Sequence, residues 1–151
     1  MAEPAPLARG DGVFRRTRRI EARHIDELGH VNNVVWVRFV VELAGAHSAS
    51  VGLDLATLRE RIGGLWIVHR HEVDYHRPAG LGEEIVEETW ISEMRGALSL
   101  RHARFTRRED GVQLVTALTR WAFVDAVRLR PRRIPPQVRD AFPQLGAGGP
   151  P

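Results

Sequence analysis

The chain of 151 residues contains no cysteine. That excludes a disulfide scaffold, a thiolate zinc site and a cysteine nucleophile. It also contains no lysine: all 22 residues of the Lys+Arg class are arginine, so a lysine Schiff base is excluded. The sequence pI near 10.7 overstates the basicity, because arginine stays charged to very high pH and the net charge is only +3. No run approaches the roughly 18 consecutive apolar residues of a membrane-spanning helix. The segment Met1-Ala2-Glu3-Pro4-Ala5-Pro6 lacks the apolar centre of a signal peptide. Together these absences lead us to expect a soluble, cytoplasmic protein with no membrane partner.

What is present fits one domain with one core. Hydrophobic residues make up 43% and charged residues 27% of the chain, as in ordinary globular proteins. Residues 1–12 and 143–151 are rich in Pro, Ala and Gly and are expected to be flexible tails. They leave 13–142 as the folded domain. Alternation and turn signals predict a first strand over about Val13–His24. Further strands are expected over Leu65–His76, Glu84–Met94, Ala97–Arg107 and Val112–Val124, with Glu109-Asp110-Gly111 marking a hairpin. A long helix is expected from about Asn33 to Ser48-Ala49-Ser50 or Gly52, with Asn32 as its cap. A short amphipathic helix over Leu55–Ile62 would be opened by Asp54, and a last helical segment is expected over Pro135–Phe142.

Residues 34–46 carry only two charges, Arg38 and Glu42. A helix that is apolar on nearly every side is normally buried on nearly every side. Five strands and one such helix imply an α+β domain in which an antiparallel sheet wraps the helix. The remaining sheet face or edge then requires cover, normally from a second copy. Trp90, Trp121 and Phe123 are candidates for that surface, or for ordinary core.

The run Asp26-Glu27-Leu28-Gly29-His30-Val31-Asn32-Asn33 places a carboxylate just before the start of the long helix. The unpaired N–H groups of a helix start can hold a developing negative charge. A thioester is an activated acyl group, so a positioned carboxylate and such an oxyanion site are sufficient for its hydrolysis, without metal or redox cofactor.

The pattern Asp26-x-x-Gly29-His30-Val31-Asn32-Asn33-x-x-Trp36 resembles the signature of the 4-hydroxybenzoyl-CoA thioesterase-like family, which usually has Tyr at the last position. Val73-Asp74-Tyr75-His76-Arg77-Pro78-Ala79 is similar to that family's second motif. The resemblance spans about Arg19 to Arg139. It implies the hotdog fold, a five-stranded antiparallel sheet around one helix. It also implies acyl-CoA or acyl carrier protein thioester substrates and a homodimer or homotetramer. Asp26 falls on the catalytic carboxylate, and Asn33 near the helix start that polarises the thioester oxygen. The chain is also similar to plant acyl-carrier-protein thioesterases, with Asp26, His30 and Glu42 on matching positions. There Leu28 stands where an asparagine is expected. His24 stands where the bacterial family often has Asp. The expected site is therefore Asp26, His30 and Glu42 for catalysis, with Gly29, Val31, Asn32, Asn33 and Trp36 for substrate and oxyanion binding.

Each residue has a second reading. Asp26 could form an Asx-turn. Glu42 could pair with Arg38 on the helix surface, and Asn32 and Asn33 could be caps. His69 and His71 are expected to share a strand face and His76 to lie on the other, which suits a metal site poorly. Arginines cluster at 15–23, 101–108 and 128–133, where they could rim the phosphates of coenzyme A. Acidic runs offset them, which argues against nucleic acid. Two rival functions remain open. One is a non-catalytic acyl-CoA-binding module. The other is a hydratase or dehydratase, whose Asp and His lie five apart with Asn-Pro between, against four and no proline here.

Overall fold

The computed structural model describes residues 11–146, 149 and 150. Of the two expected tails, residues 1–10, 147, 148 and 151 lie outside the described residues. The elements are β1 (Phe14–Arg19), α1 (Asn33–Ser50), α2 (Leu55–Thr57, continued by a π-turn over Leu58–Ile62), β2 (Gly64–Tyr75), β3 (Glu84–Arg95), β4 (Leu98–Arg107), β5 (Gln113–Asp125) and α3 (Pro136–Arg139). The strands form one antiparallel sheet in the order β1-β3-β4-β5-β2. This is the expected α+β hotdog architecture.

Burial explains why α1 is apolar. Trp36, Phe39, Val40 and Leu43 pack on Ile85, Ala103, Phe105, Val115 and Ala117 from the inner face of the sheet. Truncating one such aromatic typically costs about 3–5 kcal/mol. A second cluster under α2 joins Leu53, Leu58, Ile91, Met94 and Phe123 to Ile134, Val138 and Phe142 of the C-terminal segment. The sheet covers only one side of α1. Val34, Val41 and Gly45 stay exposed on the other.

Several expectations need correction. β1 ends at Arg19, and Ala22–His24 forms a 3-10 turn. His24 is the reason: its ring Nδ1 accepts from the Glu21 N–H at 2.9 Å, and its own N–H donates to the Glu21 carbonyl, which pulls the chain out of the sheet. Only Pro136–Arg139 of the last segment is helical. Phe123 is fully buried in the second cluster, and Trp121 shares the inner face with it. Trp90 lies on the outer face, stacked on His102 with 5.4 Å between ring centroids. A bulge between Val68 and Arg70 breaks the alternation of β2, so His69 and His71 do not share a face as the sequence suggests. His71 turns inward to Thr119, with Nδ1 2.8 Å from its hydroxyl.

The segment from 143 onward also departs from a free tail where it is described. β1 pairs with β3 only as far as Thr89, which leaves the next stretch of that edge open. Gln144 bridges to Ile91 there, and the Leu145 N–H donates to the Ile91 carbonyl at 2.8 Å.

Two buried ionic groups lie beneath α1. Glu87 on β3 is fully buried and is held by Arg16 and by Arg18, whose Nε is 2.7 Å from its carboxylate. Arg18 also lies over the Phe39 ring at 3.9 Å. Removing one member of such a buried set typically costs about 3–5 kcal/mol. The second group is Arg101 on β4, with Nη1 2.8 Å from His47 Nδ1 and 3.1 Å from the Thr89 hydroxyl. Burial, with the Arg101 charge beside it, pushes the His47 pKa down to about 3.

His47 is thus neutral when folded and binds a proton on unfolding in acid. Its share of stability is complete above the ordinary histidine pKa and is lost as pH falls from there toward 3. One such proton gives a slope of about 1.4 kcal/mol per pH unit. Denaturant unfolding of the wild type should show stability falling across that acid range, and His47→Gln should show a slope shallower by one proton.

Candidate active site

Backbone hydrogen bonds build the site before any side chain does. Ile25 and Val31 form an antiparallel bridge, and the Asp26 N–H donates to the His30 carbonyl at 2.9 Å. The chain between them is a tight loop. Gly29 takes φ +79° with no atom within 4 Å of where a Cβ would stand, so its requirement here is a left-handed turn rather than close packing. Asp26 Oδ1 accepts from the Leu28 N–H at 2.9 Å. The Asx-turn is therefore present, and it fixes the carboxylate. Among the described residues no partner takes the other carboxylate oxygen, and the residue is only half-buried.

The helix start is almost fully committed. The Asn32 N–H donates to the His24 carbonyl at 3.0 Å. The Asn32 side chain caps α1 by accepting from the Val34 N–H at 2.9 Å. The Val35 and Trp36 N–H groups donate to the Asn32 carbonyl. Among the described residues, the first-turn amide left without a partner is that of Asn33, an exposed residue. It lies at the same end of α1 as Asp26, at the positive pole of the helix.

The two sequence motifs meet here. The Val31 N–H donates to the Ala79 carbonyl at 2.9 Å, and the Tyr75 hydroxyl donates to the Asn33 carbonyl at 3.0 Å. The Tyr75-to-Ala79 stretch thus clamps the loop and helix start against the end of β2. Tyr75 was not among the expected site residues. Its place in the second motif was the available signal.

The other expected residues divide. His30 is exposed, and it meets Asp26 through its backbone carbonyl. Val31 and Trp36 are core, Trp36 sitting edge-on to Phe39 and Phe105. Glu42 lies more than two turns along α1 from Asn33. Its partner is Arg18 on β1, at 2.9 Å, and not Arg38. Among the described residues no group of three His, Asp or Glu side chains could hold a metal. The arginines at 15–19 and 104–108 are paired with Glu83, Glu84, Glu87 and Glu88 on β3 and in the turn before it, and Arg23 with Glu21.

A cavity of about 320 Å³ opens elsewhere, between the second half of α1, α2 and the inner face of the sheet. Val41, Ala44, Leu58, Trp66, Ile91 and Trp121 form its apolar walls. At 1.5 Å per helical residue, Val41 is about 12 Å along α1 from Asn33. The Asp26 end of α1 and this cavity are thus separate, joined by the exposed side of α1 from Val34 to Val41.

Comparison with known proteins is consistent with this architecture. The Haemophilus influenzae acyl-CoA thioesterase YbgC is 26% identical over 135 residues, covering 89% of this chain and 98% of that protein. A 1,4-dihydroxy-2-naphthoyl-CoA thioesterase from Synechocystis superposes with TM-score 0.78 at 16% identity, over 85% of this chain and 94% of that one. A Staphylococcus aureus protein solved in complex with CoA superposes with TM-score 0.79 at 17% identity, over 85% and 80% of the two chains. These two structures share the fold. The model of the thioesterase-like superfamily matches residues 20–142; the chain belongs to that superfamily, and its chemistry is thioester hydrolysis.

Proposed function

We propose that this chain hydrolyses an acyl thioester of coenzyme A or acyl carrier protein at the start of α1, with Asp26 as the reacting carboxylate. The observation that carries the reading is the pairing of an Asp26 oxygen without a partner and an Asn33 N–H without a partner at one end of α1. The thioester oxygen accepts from the Asn33 N–H. Asp26 attacks the carbonyl carbon directly, or removes a proton from the water that does. The C–S bond breaks and the thiolate takes up a proton. By the direct route water then opens the Asp26 anhydride. Both routes consume one water and yield a free acid and a thiol. His30, exposed at the loop, is placed to exchange protons with solvent. Glu42, held by Arg18, positions α1 on β1 rather than reacting.

A second copy completes the assembly in this proposal. β2 is an edge strand, and Ile67 and Tyr75 on it are 41% and 49% exposed. Val34 and Leu55 are 63% and 59% exposed on the helical side. An open twelve-residue edge beside an apolar stripe is a surface that soluble proteins cover. Light scattering at micromolar concentration should give at least twice the 17.0 kDa chain mass; a monomer would remove this part of the proposal.

Asp26→Asn should lower thiol release from a panel of acyl-CoA esters by about 100-fold or more. With no cysteine, a disulfide-reagent assay carries no protein background. Unchanged turnover would move the chemistry off Asp26. Asn33→Pro tests the amide itself. Proline is at home in the first helical position, and Asn32 already has φ −59° and ψ 137°, which suits a residue before proline. The variant should keep its helix and its stability yet lose about 100- to 1000-fold in rate. Full activity in Asn33→Pro would contradict the oxyanion assignment.

A further inference from the structure

The inner face of a sheet beneath an apolar helix is expected to be apolar, and β4, the central strand, breaks that rule twice. Arg101 is 6% exposed and lines the cavity. Ser99, two residues along on the same face, is 3% exposed and lines it too. Arg101 has no carboxylate partner among the described residues. Its hydrogen bonds go to His47 and to the Thr89 hydroxyl, both uncharged at neutral pH. The Ser99 hydroxyl has no partner among the described residues. The contrast with Glu87 is direct, since that buried charge has two arginines on it.

Burying an unneutralised guanidinium costs several kcal/mol, and replacing buried charge with apolar side chains of similar volume is often neutral or stabilising. The Phe142 ring lies 5.5 Å from the guanidinium, but no group of opposite charge among the described residues offsets it, and an arriving anion would. Burial lowers the Arg101 pKa to about 9, so it remains charged at neutral pH. Val41, Leu58, Trp66, Ile91 and Trp121 supply the apolar walls of the hollow, and its other polar lining is Ser48 and the exposed Asp54, whose carboxylate is turned to the Thr57 N–H as the cap of α2. Its mouth lies at exposed Val41, Gly45 and Leu55. An inorganic anion would leave those walls wet. A plain hydrocarbon would leave Arg101 without a counter-ion.

We propose that this cavity binds a carboxylate carried on an apolar skeleton, with Arg101 as its counter-ion and the Ser99 hydroxyl as a second donor. The carboxylate has two chemical sources: the far end of an acyl group whose thioester lies at Asn33, or a free apolar acid. The first rests on the hydrolysis reading above, and the second does not.

Trp66 and Trp121 in the walls make intrinsic fluorescence the readout. Octanoate should bind the wild type at least tenfold more tightly than octanol, its neutral counterpart. Arg101→Met should bind the two alike, with octanol affinity unchanged, and should resist denaturant at least as well as the wild type. Equal affinity of the wild type for octanoate and octanol would overturn the proposal, and needs no variant to fold. So would an acid preference that survives in Arg101→Met. Hydrolysis then separates the sources. A higher kcat/KM for ω-carboxyoctanoyl-CoA than for octanoyl-CoA, abolished in Arg101→Met, places the carboxylate on the acyl chain. Equal kcat/KM beside a retained binding preference assigns the site to a free acid. The binding measurements stand even if no thioester is turned over, so failure of the hydrolysis reading and failure of this one are distinguishable.

Discussion

The governing constraint is that a helix apolar around most of its circumference is given a sheet on one side only. Trp36, Phe39, Val40 and Leu43 spend their burial against the sheet, and that contact fixes where the two ends of α1 lie. The other side, from Val34 through Val41 to Gly45 with Arg38 among them, is exposed among the described residues. Hydrophobic burial scales with area, so this uncovered stripe is the strongest pressure toward a second copy and toward an apolar ligand. The site at one end of α1 and the cavity at the other both follow from how the helix is seated.

The start of α1 is held by partners that are distant in sequence. Ala79 takes the Val31 amide and Tyr75 takes the Asn33 carbonyl, so the loop carrying Asp26 cannot drift independently of β2. A carboxylate placed this way needs little reorganisation before it acts, which is the source of most electrostatic catalysis. Asn32 contributes by occupying the Val34 amide with its side chain, and what remains for a ligand is one N–H.

The fold was legible because its determinants are local. Strand alternation, the hairpin at Glu109-Asp110-Gly111 and the caps Asn32 and Asp54 each depend on a few neighbouring residues, and Asp54 does accept from the Thr57 N–H at 2.8 Å. The Asx-turn at Asp26 and the helix start were legible for the same reason. What sequence could not supply were partners set by register. Glu42 finds Arg18 across a gap of 24 residues, where the helical neighbour Arg38 had looked the natural choice. The bulge in β2 reverses the side on which His71 falls. Gln144 and Leu145 read as tail because their composition is poor in apolar area, yet they find an edge that β1 leaves open. Arg101 is one of 22 arginines, and only the sheet reveals that it points inward without an acid to meet it.

The central claim is that the amide at the start of α1 draws electron density onto the thioester oxygen. The direct test is the Raman carbonyl frequency of octanoyl-CoA bound to the Asp26→Asn variant, which holds the ester in place while slowing its loss. The bound carbonyl is expected at lower frequency than that of the free thioester, with a return toward the free value when Asn33→Pro is added. A bound thioester whose carbonyl frequency equals that of the free molecule would contradict it.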